Sequence, residues 1–278
     1  MSTSPLISHE LKSALQAFSS GGGRITILTG AGISAESGIP TFRGPEGYWS
    51  VGSREYHPQE MATWAMFQRQ PLEVWKWYLY RYSVCRAAEP NPGHMAVVEM
   101  EKRFGDRFTL ITQNVDGLHL RAGNSPERTW QIHGNVSFMR CSAECTDKLY
   151  DLPESFAGRP RIADITAPEQ ALLTCPACGS MTRPHVLWFD ETYDEPRYRF
   201  ESSIQAASET DLLLVVGTSG ATALPSHIVD IATRRKEALV VDINIEANPF
   251  GRAAERSGGH FLQAPGGEAL PLVLDALS

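Results

Sequence analysis

Apolar, β-rich runs recur at Ile25–Leu28, Phe108–Ile111, Leu212–Val216 and Leu239–Ile243, with a shorter one at His260–Leu262. Helical patterns lie between most of them. Strands separated by helices cannot close as hairpins and imply a parallel α/β sheet covered on both faces. The first four runs end in glycine or polar residues: Thr29-Gly30, Thr112-Gln113-Asn114, Gly217-Thr218-Ser219 and Asn244. In an open α/β sheet ligands sit outside the carboxyl ends of the strands. Four polar strand ends therefore point to one crevice.

The first strand runs straight into Gly30-Ala31-Gly32, and Gly30-x-Gly32-x-x-Ala35 fits the dinucleotide pattern G-x-G-x-x-G/A. Gly30 allows a tight turn, Gly32 lets the backbone approach a pyrophosphate, and Ala35 leaves room for helix–sheet packing. The N–H groups that open the helix would receive the phosphates. Such triplets also occur in ordinary glycine turns; the residues just after this one are more specific. Ser37-Gly38-Ile39-Pro40 ends the helix early, and the next loop carries Thr41-Phe42-Arg43-Gly44, an aromatic and a cation beside the nucleotide.

The chain has 278 residues, 42% hydrophobic and 21% charged, enough for a sizeable core in one large or two modest domains. A net charge of −7, with Arg234-Arg235-Lys236 as the densest basic cluster, argues against a nucleic-acid grip. No apolar stretch approaches the roughly 20 residues that span a membrane. The first 18 residues lack a basic and then apolar leader, and instead read as a helix from about His9 to Phe18, capped by Ser8 and ended by Gly21-Gly22-Gly23. The expected compartment is the cytoplasm. Residues 45–90, with Trp49, Trp64, Trp75 and Trp77, and residues 137–185, with four cysteines, do not fit the sheet. They read as two inserts forming a smaller helical and zinc-binding domain, against a discontinuous Rossmann-like domain of residues 1–44, 91–136 and 186–278.

Cys141-x-x-x-Cys145 is followed, after 29 residues, by Cys175-x-x-Cys178. Two close pairs suggest one tetrahedral zinc. The competing explanation is two disulfides, which a reducing compartment disfavours. Four thiolates close the coordination sphere, so such a zinc is structural. Cys85 stands alone and reads as a small buried hydrophobe.

Together these motifs resemble the sirtuins, the NAD-dependent protein deacylases, in at least six segments across about residues 24 to 275. The string from Gly30 to Gly44 looks like the first sirtuin motif, and the resemblance assigns Gly30, Ala31, Gly32, Ser34, Glu36, Thr41, Phe42 and Arg43 to NAD. Thr112-Gln113-Asn114-Val115-Asp116-Gly117-Leu118-His119 matches the second, with Gln113, Asn114 and Asp116 toward the ribose and nicotinamide and Asn114 also catalytic. His133-Gly134 matches the sirtuin His-Gly, whose histidine is the general base; an imidazole pKa near about 6.5 suits that task. His119 is the competing histidine. Gly217-Thr218-Ser219, Asn244-Ile245-Glu246 and Gly266 look like the motifs that hold the adenosine half. Val186-Leu187-Trp188-Phe189 looks like the segment that pairs with the backbone of a substrate peptide, although Asp190 replaces a common glycine.

Tyr78-x-x-Arg81 puts a phenol and a guanidinium on one helix face. It resembles the Tyr-x-x-Arg of class III sirtuins, which remove succinyl, malonyl and glutaryl groups, and Ala62 falls where those enzymes keep a small residue. The stretch from Ser50 to Pro58 is longer than in the mitochondrial class III enzymes. The resemblance implies a transferase-type enzyme that consumes NAD, frees protein lysine from its acyl group, and yields nicotinamide and O-acyl-ADP-ribose. A general deacetylase without acidic preference, a mono-ADP-ribosyltransferase and a dehydrogenase or non-catalytic NAD module are the rivals. The last would leave the cysteines and the Gln113, Asn114 and Asp116 set without a role.

Overall fold

The computed structural model describes residues 6–40, 49–51 and 54–278. Among the described residues eleven strands lie in three sheets: β1 Ile25–Thr29, β2 Trp49–Val51, β3 Arg54–Tyr56, β4 Phe108–Thr112, β5 Thr129–Gln131, β6 Gly134–Cys141, β7 Tyr150–Asp151, β8 Thr182–Val186, β9 Leu212–Val216, β10 Leu239–Asn244 and β11 His260–Gln263. Six form the large sheet, in the order β11-β10-β9-β1-β4-β5, and every pair is parallel.

The burial pattern explains why apolar runs became strands. All five residues of β9 are buried, and side chains alternate between faces. Leu212, Leu214 and Val216 pack with Ile25, Ile27 and Leu110 on one face. Leu213 and Val215 pack with Leu28, Ile111 and Val240 on the other. Burial of each such side chain contributes about 1.5–3 kcal/mol. The opening helix runs His9–Gly21; the Ser8 hydroxyl accepts from the Leu11 N–H, and Gly22 ends the helix at φ 74°.

A smaller lobe packs the antiparallel sheet β7-β6-β8 against the helix Pro71–Ala87. Trp75, Trp77, Tyr78, Phe156 and Trp188 form its core. The Trp75 indole donates to the Thr182 carbonyl at 2.8 Å. Pro184 is tolerated in β8 because that strand is an edge. This sheet straddles the expected insert boundary, since β6 begins at Gly134 and β8 ends at Val186. No helix among the described residues is long and apolar enough to cross a membrane.

Candidate active site

β1 lies between β9, which leads to β10 and β11, and β4, which leads to β5, so the strand order reverses at the β9/β1 boundary. That is the switch point where an α/β sheet opens a crevice. Both loops leaving it meet there. The Gly30 N–H donates to the Val216 carbonyl at 2.9 Å, and the Gly32 N–H donates to the Gly217 carbonyl at 2.8 Å. A Cβ on Gly32 would lie 2.6 Å from the Gly217 Cα, and Gly217 itself has φ 60°. Only glycines allow this approach. The helix after the turn is one turn long, Gly32–Ala35, with Ala31 as its cap residue.

The second motif folds back onto the first. The Asn114 amide donates to the Gly30 carbonyl and to the Ser34 hydroxyl, both at 3.0 Å. Ser34 in turn donates to Asp116 at 2.8 Å, and the other Asp116 oxygen accepts from the Leu118 N–H at 2.9 Å. Burial raises the Asp116 carboxyl, opposed by those two hydrogen bonds and by the positive charge of Arg81. The Gln113 amide donates to the Thr218 hydroxyl at 2.8 Å, tying the strand end of β4 to that of β9. Asn244 donates to the Thr218 carbonyl at 2.9 Å, while Ser219, Ile245 and Glu246 are exposed. Gly266 packs on Val216 and Ile33. The Glu36 carboxylate accepts from the Gly267 N–H at 2.7 Å, at the start of the helix Gly266–Ala276. Thr41, Phe42 and Arg43 lie outside the described residues.

His133 stands just before β6, partly buried. Its Nδ1 lies 3.0 Å from the Gln113 carbonyl oxygen and its Nε2 lies 2.8 Å from the Tyr193 hydroxyl. Burial lowers the imidazole to about 4, against the opposing pull of the Gln113 carbonyl, so it is neutral near pH 7. A carbonyl oxygen only accepts, which puts the proton on Nδ1 and leaves a basic lone pair on Nε2. His119 is engaged differently: it is buried, 3.1 Å from the Thr29 hydroxyl, with its ring against His94. Burial holds it well below the usual histidine range.

The residues expected at the acyl end are gathered on the small lobe. Tyr78 and Arg81 share the helix Pro71–Ala87. The Trp188 indole donates to the Tyr78 hydroxyl at 3.0 Å. The Arg81 guanidinium lies over the Trp77 ring, 5.2 Å from its centroid, and burial lowers its pKa. Ala62 is buried and its carbonyl accepts from the Phe189 N–H at 2.9 Å. The Leu187 N–H donates to the His133 carbonyl at 3.0 Å, and the Trp188 N–H to Glu191 at 2.9 Å. Val186 pairs with Gly134. The N–H groups of residues 187–189 are thus engaged internally, as are the Val186 and Trp188 carbonyls, which accept from Arg183 and from the Glu191 N–H, while the Phe189 side chain is exposed. Asp190 also has a partner: its carboxylate accepts from the Trp64 and Ala65 N–H groups at 2.7 and 3.1 Å. It caps the helix Trp64–Arg69 from across the lobe, which gives a reason for aspartate at this position.

The four cysteine sulfurs lie within 4.8 Å of one another. Cys141 and Cys178 are 3.6 Å apart, and Cys145 and Cys175 3.7 Å. Disulfides need about 2.05 Å, whereas sulfurs at about 2.3 Å from one tetrahedral zinc stand about 3.8 Å apart. Gly179, at φ 76°, returns its N–H to the Cys175 carbonyl and closes the knuckle. The set fits a structural zinc. Cys85 is buried, and burial pushes its thiol up to about 12.

Sequence reasoning missed Tyr193, Thr222 and Asn91. Tyr193 and Thr222 carry no local pattern. Asn91-Pro92 does: Asn91 caps the helix Pro92–Phe104 and also donates to the Ile33 carbonyl at 2.7 Å, bracing the short helix after the glycine turn.

A family model described as the Sir2 family matches residues 30–223. An NAD-dependent protein deacylase of Leptospira interrogans is 42% identical over 248 residues, covering 89% of this chain and 90% of its own. A solved Sir2 homologue in complex with NAD is 30% identical, with a TM-score of 0.78 over 98% of this chain and 96% of its own. A Sir2 homologue mutant bound to 2'-O-acetyl ADP-ribose gives the same TM-score of 0.78 at 30% identity, over 98% of this chain and 96% of its own.

Proposed function

Since the chain belongs to the Sir2 family, we propose that it is an NAD-dependent protein-lysine deacylase whose acyl pocket takes groups ending in a carboxylate. Its substrates are acylated lysines of proteins or peptides. The observation that carries the catalytic part is the neutral His133 with its lone pair at Nε2, held beside the second motif by the Gln113 carbonyl. Bound NAD supplies the electrophilic ribose carbon and the nicotinamide leaving group. The glycine turn at residues 30–32 and the strand ends at Gly217 and Asn244 hold the dinucleotide. Gln113, Asn114 and Asp116 orient the nicotinamide ribose, and His133 Nε2 takes a proton from one of its hydroxyls. Positioning both reactants in one crevice supplies much of the rate.

Acidic-acyl preference rests on Tyr78, Arg81 and Ala62. The Tyr78 hydroxyl accepts from Trp188, so its own proton remains to be donated. A desolvated guanidinium attracts a carboxylate more strongly than one in water and can hold it bidentately. Ala62, whose carbonyl accepts from the Phe189 N–H, brings only a methyl group to this wall. The test is kcat/KM with NAD on one lysine peptide carrying succinyl or acetyl, for the native chain and Arg81→Met. Loss of a charge-assisted pair should lower succinyl turnover about 10- to 100-fold and leave acetyl turnover nearly unchanged. Equal or better acetyl turnover that ignores Arg81 would make the enzyme a general deacetylase.

A further inference from the structure

The contact between His133 Nε2 and the Tyr193 hydroxyl, 2.8 Å long, involves the atom that must act as base. Because Nδ1 bears the proton, Tyr193 is the donor and Nε2 the acceptor. The phenol is built into place. Its ring packs beside His133, with centroids 5.8 Å apart, and beside Phe200, 6.3 Å away with the ring planes 28° apart. The Thr222 hydroxyl sits next to it and donates to the Gln113 side-chain oxygen at 3.1 Å. Burial pushes the Tyr193 phenol up to about 12, partly offset by Thr222, so it stays a neutral donor near pH 7.

A single lone pair accepts one proton at a time. We propose that the Tyr193 hydroxyl is a resident occupant of the base position: it donates to His133 Nε2 and must be displaced by the ribose hydroxyl of NAD before Nε2 can take that proton. This rests on the reading of His133 as the base. Tyr193 is then a positioning residue whose hydrogen bond competes with cofactor binding and is absent when the proton is transferred.

Tyr193→Phe keeps the ring between His133 and Phe200 and removes only the donor. Titration with ADP-ribose, which carries the same ribose hydroxyls, should show about three- to tenfold tighter binding, the value of one net hydrogen bond. The KM for NAD should fall by a similar factor with kcat within twofold. ADP, which lacks the second ribose, should bind as to the native chain, and this also reports an intact fold. Unchanged ADP-ribose affinity, or a kcat reduced tenfold at constant KM, would overturn the proposal. His133→Ala separates the two readings: retained turnover there removes the base assignment, and the occupant with it, whereas lost turnover with an unresponsive Tyr193→Phe leaves the base and removes only the occupant.

Discussion

Asp242 lies inside β10 with no exposed surface, two residues before the Asn244 strand end. Its neighbours in register are Val215 of β9 and Phe261 of β11. One carboxylate oxygen accepts from the Asn248 amide at 2.6 Å; the other has no hydrogen-bond partner among the described residues. Burial therefore raises the carboxyl from 3.8 to about 6, against the opposing pull of Asn248. A raised acid binds more protons folded than unfolded. Its stabilisation is fully present below about pH 3.8 and is lost as the pH climbs through about 6. The whole span is worth about 3 kcal/mol, of which somewhat under half falls between about pH 5 and pH 7.5. Asp242→Asn abolishes the titration. Its packing cost is a constant offset, because the amide is neutral at every pH. Urea denaturation of both chains at several pH values gives the difference in unfolding free energy, native minus variant. That difference should fall by about 1 kcal/mol from pH 5 to pH 7.5. A flat difference would refute the argument from burial. A rising one would mean that Asp242 is held ionised by a partner.

The small lobe yields two further outcomes. Asp190→Gly removes the two carboxylate contacts to the first turn of the helix Trp64–Arg69 while its Thr63 cap remains, and should lower Tm by about 2–4 °C, the effect of roughly 1 kcal/mol in a chain of this size; an unchanged Tm would show that the Asp190 contacts hold nothing. The native chain should carry one zinc, measured by atomic emission, and stripping it with a chelator should lower Tm and alter near-ultraviolet dichroism as the knuckle around Cys175 and Cys178 opens. A metal-free chain with an unaltered melt would exclude a structural zinc.

What could be read from the chain depended on how local each signal was. Buried parallel strands are apolar on both faces, so β1, β4, β9, β10 and β11 stood out as runs without reference to their partners. The Ser8 cap acts over three residues, and the cysteine pairs carry their spacing in the sequence. The glycines at 30, 32 and 217 marked a crevice before their contact was visible. The hairpin of β2 and β3 and the small sheet were harder. Arg183 and His185 read as polar yet are buried in β8, and Arg183 is held there by Glu191 and by the Trp188 ring, 3.5 Å from its centroid. Tyr193 meets His133 across 60 residues, and Glu36 meets Gly267 across 231. No window of sequence encodes such pairs; they exist only once distant segments of the chain have folded together.

The most direct test of the account incubates the native chain with NAD and an acyl-lysine peptide and identifies every product by mass. Free lysine peptide, nicotinamide and O-acyl-ADP-ribose should appear in equal amounts, with NAD consumed and no NADH formed, and His133→Ala should stop the release of free lysine. ADP-ribose attached to protein with the acyl group intact, or reduction of NAD, would contradict it.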